Sequence, residues 1–179
     1  MINEIGIGPR TEEKEQDAVD LLLACHSRIR NFTAIAHRLA EAKGAAPAEI
    51  ANAAEAVHRY YTVALPLHEA DENETVYPRL RAAMTAAGAP PAAVEAMVEQ
   101  HGPIDALVAE LVPLWDRLKS APESLTACAQ PMADKCARLQ ALWDEHLSLE
   151  EENVFPAIRR YLDEPTVREM TAEMRARRQ

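Results

Sequence analysis

The sequence predicts an all-α protein, an up-down-up-down four-helix bundle with a short fifth helix at its C-terminal end. Only five of its 179 residues are glycine, and Ala, Leu, Glu and Arg, which favour helices, are abundant. Apolar residues recur every three or four positions along four long stretches, and short segments rich in Gly, Pro and Ser separate those stretches. Short connections place consecutive long helices antiparallel, which gives the up-down-up-down order.

The helix boundaries follow from these separators. The four long helices are predicted over about residues 11–43, 47–85, 91–119 and, from a start between Pro122 and Pro131, to Leu162. A fifth helix is predicted over about residues 164–178, because Pro165 suits a first turn and the closing Arg residues suit a helix C-terminus. We expect one domain over residues 1–179, with the bundle over about 11–162.

Several prolines fall inside the predicted helices: Pro66, Pro78, Pro103, Pro113 and Pro156. Each lacks a backbone donor and is expected to bend its helix. The apolar rows continue past these positions, so the sequence predicts bends and not helix ends.

Charge and cysteine content narrow the class of protein. The net charge of −10 disfavours nucleic acid or an anionic membrane as a partner, since both require a basic face. No segment is apolar for long enough to span a bilayer, and Met1 to Gln16 contain no apolar signal-peptide core. Three cysteines without a Cys-x-x-Cys pair indicate reduced thiols, so we expect a cytoplasmic protein. The oligomeric state is not predicted.

A polar sequence motif occurs twice, in the second and in the fourth predicted long helix. His68 to Pro78 and His146 to Pro156 both carry Glu at +4, Glu at +6, Val at +8, an aromatic residue at +9 and Pro at +10. Residues four apart lie on one face of a helix, so His68 and Glu72 point the same way, as do His146 and Glu150.

These polar pairs interrupt apolar rows, which indicates that they point into the core. His26 lies between Leu22 and Ile29, and His101 has the same helical phase as Met97. Counted at 1.5 Å per residue from the connecting loops, the heights of the four histidines and two glutamates agree within about one turn. The sequence therefore predicts one polar layer of six residues: His26, His68, Glu72, His101, His146 and Glu150.

Such a layer favours a metal site, because a buried Glu is costly unless it is paired or bound to a metal. Imidazole and carboxylate together suit iron, manganese or zinc. Six ligands exceed the needs of one tetrahedral zinc ion, whereas two carboxylates can bridge two metals. We therefore expect two iron ions first, with manganese or zinc as the alternatives.

The ordered set of lone His26, His68-x-x-x-Glu72, lone His101 and His146-x-x-x-Glu150 resembles the hemerythrin HHE cation-binding family over about residues 21–162. The resemblance implies a four-helix bundle with a non-heme di-iron centre whose metal ligands are these six residues. The oxygen-carrying members have a second His one turn from the helix-3 His and an Asp five residues after the helix-4 His. Here Asp105 and Glu151 stand at those positions, which disfavours oxygen transport in their manner.

The resemblance implies a protein that reacts with or senses oxygen, peroxide or nitric oxide at its irons, with oxygen- or peroxide-consuming enzyme activity left open. The alternatives are an iron-responsive or iron-holding regulator without turnover, reversible oxygen binding, a structural metal, and a buried hydrogen-bond network without metal. A ferritin-like site and a zinc protease are excluded, because Leu65, Val98 and Trp143 stand three residues before His68, His101 and His146 in place of Glu, and because His-Glu-x-x-His is absent.

The other polar residues near the motifs are assigned lesser roles. Five acidic residues are expected on solvated faces: Glu69, Asp71, Glu74, Glu151 and Glu152. His37 and His58 lie too far along their helices to reach the layer. Whether Glu69, Asp105 or Glu151 also bind metal is left open.

Overall fold

A computed structural model of the protein describes residues 16–179, which form the all-α bundle that the sequence predicts and contain no strand. Helix α1 spans Ala18–Glu41, α3 spans Ala92–Ser120 and α5 spans Glu164–Ala176. Helices α2 (residues 47–86) and α4 (residues 125–161) each consist of consecutive segments with uninterrupted helical backbone. None of the described helices is long and apolar enough to cross a bilayer.

Helix α1 begins later than predicted. The expected start near Thr11 lies outside the described residues, and Gln16 and Asp17 precede the helix. The Asp17 carboxylate accepts a hydrogen bond from the backbone N–H of Asp20, and the Asp20 carboxylate accepts one from Asp17 in return. This capping box fixes the helix start at Ala18. The other helix ends agree with the predictions within a few residues, and one domain over the whole chain stays a prediction.

The four long helices form a closed ring in which each packs against two neighbours. Helices α1 and α3 each pack against both α2 and α4. The connections between successive helices are short, which makes these neighbours antiparallel, as the sequence predicts. The fifth helix, α5, lies against α1 and against the segment Asp71–Val76 of α2.

A polar layer divides the apolar core in two. One apolar cluster includes Ile29, Leu65, Ile104 and Trp143, and the other includes Leu22, Val76, Met97 and Val154. Between them lie the buried histidines and glutamates of the predicted layer. Each long helix therefore contributes apolar residues to both halves of the core.

Three of the prolines produce wide π turns. The π-helical segments Tyr60–Ala64, Asp71–Val76 and Glu150–Val154 each end two residues before a proline. In each segment the N–H just before the proline bonds to the carbonyl five residues back. A proline ring clashes with the carbonyl four residues back in an α-helix, and the wider turn relieves that clash. The prediction that the helices continue past these prolines is confirmed.

The C-terminal end of α5 holds the second half of α2 through Asp71. Arg177 Nη1 donates to one oxygen of this carboxylate over 2.9 Å and Arg178 Nη2 to the other over 2.5 Å. Asp71 is buried, so the expectation of a solvated side chain is wrong. A carboxylate is buried only when charges compensate it, and here the two guanidinium groups come from more than a hundred residues away.

Replacing Asp17 with Ala should lower the free energy of unfolding by about 1 kcal/mol, because the capping box of α1 is lost. Asp17→Asn is the matched control, since its amide oxygen still accepts from Asp20 while the exposed ion pair with Arg159 disappears. Urea denaturation of both variants measures the difference. Equal losses in the two variants would assign the stabilisation to the ion pair and contradict the capping argument.

Candidate metal centre

The structure brings all six residues of the predicted layer together, one or two from each helix of the ring. They are His26, His68, Glu72, His101, His146 and Glu150, and none is more than 5 % exposed. His37 and His58 lie outside the layer, where they approach Glu41 and Asp116.

The six side chains form two groups that share both glutamates. In the first, His26 and His68 of the α1–α2 half meet the two carboxylates. In the second, His101 and His146 of the α3–α4 half meet the same carboxylates. Within each group the four candidate ligand atoms lie within 4.8 Å of one another. Two histidines and two carboxylates thus surround each of two neighbouring points.

Glu72 directs one oxygen to each group. Its Oε1 lies 2.9 Å from Nε2 of His68, in the first group, and its Oε2 accepts a hydrogen bond of 3.0 Å from Nε2 of His101, in the second. A carboxylate with one oxygen in each of two neighbouring sites has the arrangement of a bridging ligand.

Glu150 divides its oxygens in the same manner. Its Oε2 lies 2.8 Å from Nε2 of His26, and its Oε1 lies 3.1 Å from Nε2 of His146. The two glutamates, from the equivalent positions of the repeated motif, therefore span the two groups side by side.

Several of these buried atoms fit a cation better than they fit each other. Nε2 of His68 and His146, and Oε1 of Glu72 and Glu150, have no hydrogen-bond partner among residues 16–179 despite the short distances between them. An unpaired buried polar atom is costly, and four of them converge here. A positive ion between each imidazole nitrogen and carboxylate oxygen would satisfy all four, so the residues present fit a metal.

Two of the histidines are oriented by hydrogen-bond acceptors at Nδ1, the ring nitrogen that faces away from the two glutamates. Nδ1 of His26 donates to Oε1 of Glu151 over 2.8 Å, and Arg30 donates to the same oxygen over 2.9 Å. Nδ1 of His146 donates to Oε1 of Gln100 over 3.1 Å. Such outer acceptors fix the tautomer and the orientation of a metal-binding imidazole. Glu151, which the sequence left open as a ligand, contacts the outer nitrogen of His26 instead.

Glu69 and Asp105 form a separate carboxyl pair at the edge of the layer. Burial and then the charge and hydrogen bond of Asp105 raise the pKa of Glu69 to about 7. Asp105 is exposed, and neither residue belongs to the two groups of candidate ligands. The position at which the oxygen carriers have a second histidine therefore contributes no side chain to the layer.

The charges of the layer compensate one another. Burial alone would raise the pKa of Glu72, but the charge of His68 and the hydrogen bond from His101 hold it well below its usual value. Burial alone would lower the pKa of His68, but the charge of Glu72 raises it well above 6.5. Without a cation, a proton on His68 therefore balances the ionised carboxylate of Glu72.

Sequence reasoning missed two residues that touch these histidines, Gln100 and Cys25. Gln100 supports His146, and the Cys25 thiol lies beside His68 and contributes to its electrostatics. Each immediately precedes the lone histidine of its half of the chain, His101 or His26. Cys25 and Gln100 therefore occupy equivalent positions in the two halves of the chain, and this equivalence is visible in the sequence.

A family model described as the Hemerythrin HHE cation binding domain matches residues 17–158, and a second, overlapping match covers residues 92–178. The first match includes all six residues of the layer. A search of curated proteins returned no match.

Metal affinity should fall in graded steps when the layer and its supports are altered. His146→Ala removes an inward nitrogen and should abolish most metal binding. Gln100→Leu removes only the acceptor behind it and should cost roughly 10–100-fold in affinity. His58→Ala and His37→Ala are the controls and should leave metal content unchanged. Metal analysis after dialysis, with far-UV circular dichroism to verify folding, measures the series. Equal loss in all four variants would contradict the geometry of the layer.

Metal binding should release protons near neutral pH. The raised pKa values of His68 and His101 increase the protonated fraction of both rings at neutral pH in the metal-free protein, and a cation must displace those protons. Glu72 has a lowered pKa and is already ionised, so it releases none. Affinity should therefore increase with pH across the neutral range. Calorimetric titrations in two buffers of different ionisation enthalpy count the released protons, and a count of zero at pH 7 would contradict this charge balance.

Proposed function

The chain belongs to the hemerythrin HHE cation-binding family, and on that premise we propose that it holds two iron ions and reacts with or senses oxygen, peroxide or nitric oxide. The ligands in this proposal are His26, His68, Glu72, His101, His146 and Glu150. The observation that carries it is the division of both glutamates, each with one oxygen in the group of His26 and His68 and the other in the group of His101 and His146.

The donor set supports iron over the other candidates. Two imidazoles and two shared carboxylate oxygens per ion form a mixed nitrogen and oxygen set of the kind that iron, manganese and zinc accept. Structural zinc sites are four-coordinate and closed, and they rarely share carboxylates. Iron differs from zinc in that it changes oxidation state, which is the chemistry that oxygen, peroxide or nitric oxide requires. Manganese and zinc remain the second choices.

The number of protein donors supports a reactive centre. Four candidate donors surround each of the two points, whereas iron commonly takes more than four ligands, so an iron ion held there would keep a position for a small molecule. The chain excludes bulk water from that position, because all six side chains are buried between two apolar clusters. A low-dielectric surrounding strengthens the interactions of any charged ligand with the ions.

Reaction with oxygen or peroxide is favoured over reversible oxygen carriage. The carriers' additional histidine is replaced by Asp105, which bonds Glu69 at the exposed edge. Their aspartate is replaced by Glu151, which contacts the outer nitrogen of His26. With one neutral imidazole fewer and with the carboxylates of Glu72 and Glu150, the ligand set favours the higher charge of ferric iron.

An iron-holding regulator without turnover is the second candidate. The contact that favours it is the clasp of Arg177 and Arg178 on Asp71, which lies between His68 and Glu72 in sequence. A change in the polar layer would be transmitted to α5 through this contact. In such a regulator, the release or retention of α5 would report the state of the iron site.

Iron analysis and rapid mixing test the proposal. Protein from iron-replete medium should contain close to two iron atoms per chain, because two groups of four donors are present. The reduced protein should oxidise promptly on mixing with oxygen and should consume peroxide in stopped-flow absorption. His58→Ala is the matched control for His68→Ala, which should lose both properties.

Each other outcome selects a different candidate. One zinc ion per chain would overturn the di-iron proposal. A stable, reversible adduct with oxygen would indicate oxygen binding. Retained iron that is inert toward all three small molecules would favour the regulator.

A further inference from the structure

A pocket outside the polar layer reaches the back of His68. Its cavity of about 480 Å³ lies between α1, α2 and the C-terminal end of the chain. That volume is within the range of roughly 300–1,000 Å³ that small-molecule sites occupy. One wall is apolar and includes Phe32 and Tyr60, whose rings stack 4.1 Å apart, and Val63, which is 58 % exposed.

Positive groups converge at the inner end of this pocket, around Cys25. Arg28 Nη2 lies 3.4 Å and Arg178 Nη2 3.8 Å from the Cys25 sulfur, and Arg59 also lines the cavity. Arg178 is paired with Asp71, but neither Arg28 nor Arg59 has a carboxylate partner among residues 16–179. In a chain of net charge −10, a pocket with three arginines and no carboxylate in its lining favours an anion.

The fully buried ring of His68 offers an unused donor in the same place. Its Nδ1 has no hydrogen-bond partner among the described residues, whereas the equivalent nitrogen of His146 donates to Gln100. Gln100 precedes His101 as Cys25 precedes His26, so a thiol stands where the other half of the chain has an amide oxygen. Sulfur is a weak acceptor. His68 therefore lacks the strong acceptor that His146 has, at the point where the pocket ends.

We propose that this pocket binds a small organic carboxylate with an apolar body. The carboxylate lies near Cys25, where it accepts hydrogen bonds from Arg28, Arg178 and the outer nitrogen of His68. The apolar body lies along Phe32, Tyr60 and Val63. Arginine and carboxylate form strong charge-assisted hydrogen bonds, and the apolar wall adds affinity in proportion to the area it covers. This site stands on the chain's own side chains and does not require iron.

Octanoate is the probe, measured by isothermal titration calorimetry on the purified full-length protein with its metal content determined separately. We expect saturable 1:1 binding with a dissociation constant below roughly 1 mM. Octan-1-ol, which keeps the apolar body, and acetate, which keeps the charge, should each bind at least roughly tenfold more weakly. A protein without iron that still binds octanoate would disprove the proposed function and leave this site intact.

Two pairs of variants locate the ligand. Arg28→Gln should weaken octanoate binding roughly tenfold, the loss of one charge-assisted hydrogen bond, while Arg38→Gln, on the same helix but outside the pocket, should not. Val63→Glu should weaken it by a similar factor through repulsion, while the exposed neighbouring change Thr62→Glu should have little effect. These four side chains are exposed or half-buried, so folding should be retained and circular dichroism verifies it.

The proposal is overturned if octanoate does not saturate, if octan-1-ol binds equally well, or if Arg28→Gln has no effect. An equal loss in Arg28→Gln and Arg38→Gln would also overturn it, because the attraction would then come from overall charge and not from this pocket.

Discussion

Two glutamates lie at the centre of a helix bundle, out of reach of water, and the arrangement of the chain around them follows from the need to compensate their charge. An isolated buried carboxylate is unstable by several kcal/mol. Four histidines, one from each long helix, surround the pair. The helices must therefore align so that residues far apart in sequence stand at one height. The core divides into two apolar clusters for the same reason.

The helix geometry near the two glutamates is adapted to this task. Glu72 and Glu150 both lie at π-helical segments that end two residues before a proline. The wider turn lets the helix accommodate the proline ring and continue in the same direction. The segment that carries Glu72 is further held by Arg177 and Arg178, which follow α5 and bind the neighbouring Asp71. The backbone that carries His68 and Glu72 is thus held both by the π turn and by these two arginines.

The polar layer could be predicted from sequence because it depends on regular helix geometry alone. The rise per residue and the turn of the helix place His26, His68, His101 and His146 at one height, and the repeated motif adds the glutamates. Contacts between distant segments could not be found in this way. The burial of Asp71 depends on arginines more than a hundred residues later, and the π turns depend on how a proline clash is relieved locally. The hydrogen bond from His146 to Gln100 is likewise a contact between α4 and α3 that no local pattern requires.

The two halves of the centre are alike in their inward atoms and unlike in their outer ones. Each half contributes two histidines to one group and one glutamate to both, which makes the layer nearly symmetric.

The hydrogen-bond acceptors at the outer nitrogens of the histidines differ between the two halves. His26 has Glu151 as its acceptor, whereas Asn73 stands at the equivalent position of the first motif and Nδ1 of His101 has no partner among the described residues. His146 has Gln100, whereas His68 has the weaker thiol of Cys25 and a pocket beyond it. Because outer acceptors set the basicity of an imidazole, two ions with the same inward ligands would differ in electron density. An ion held near His68 would be the one whose surroundings a molecule from solution can change, because the pocket ends at that ring.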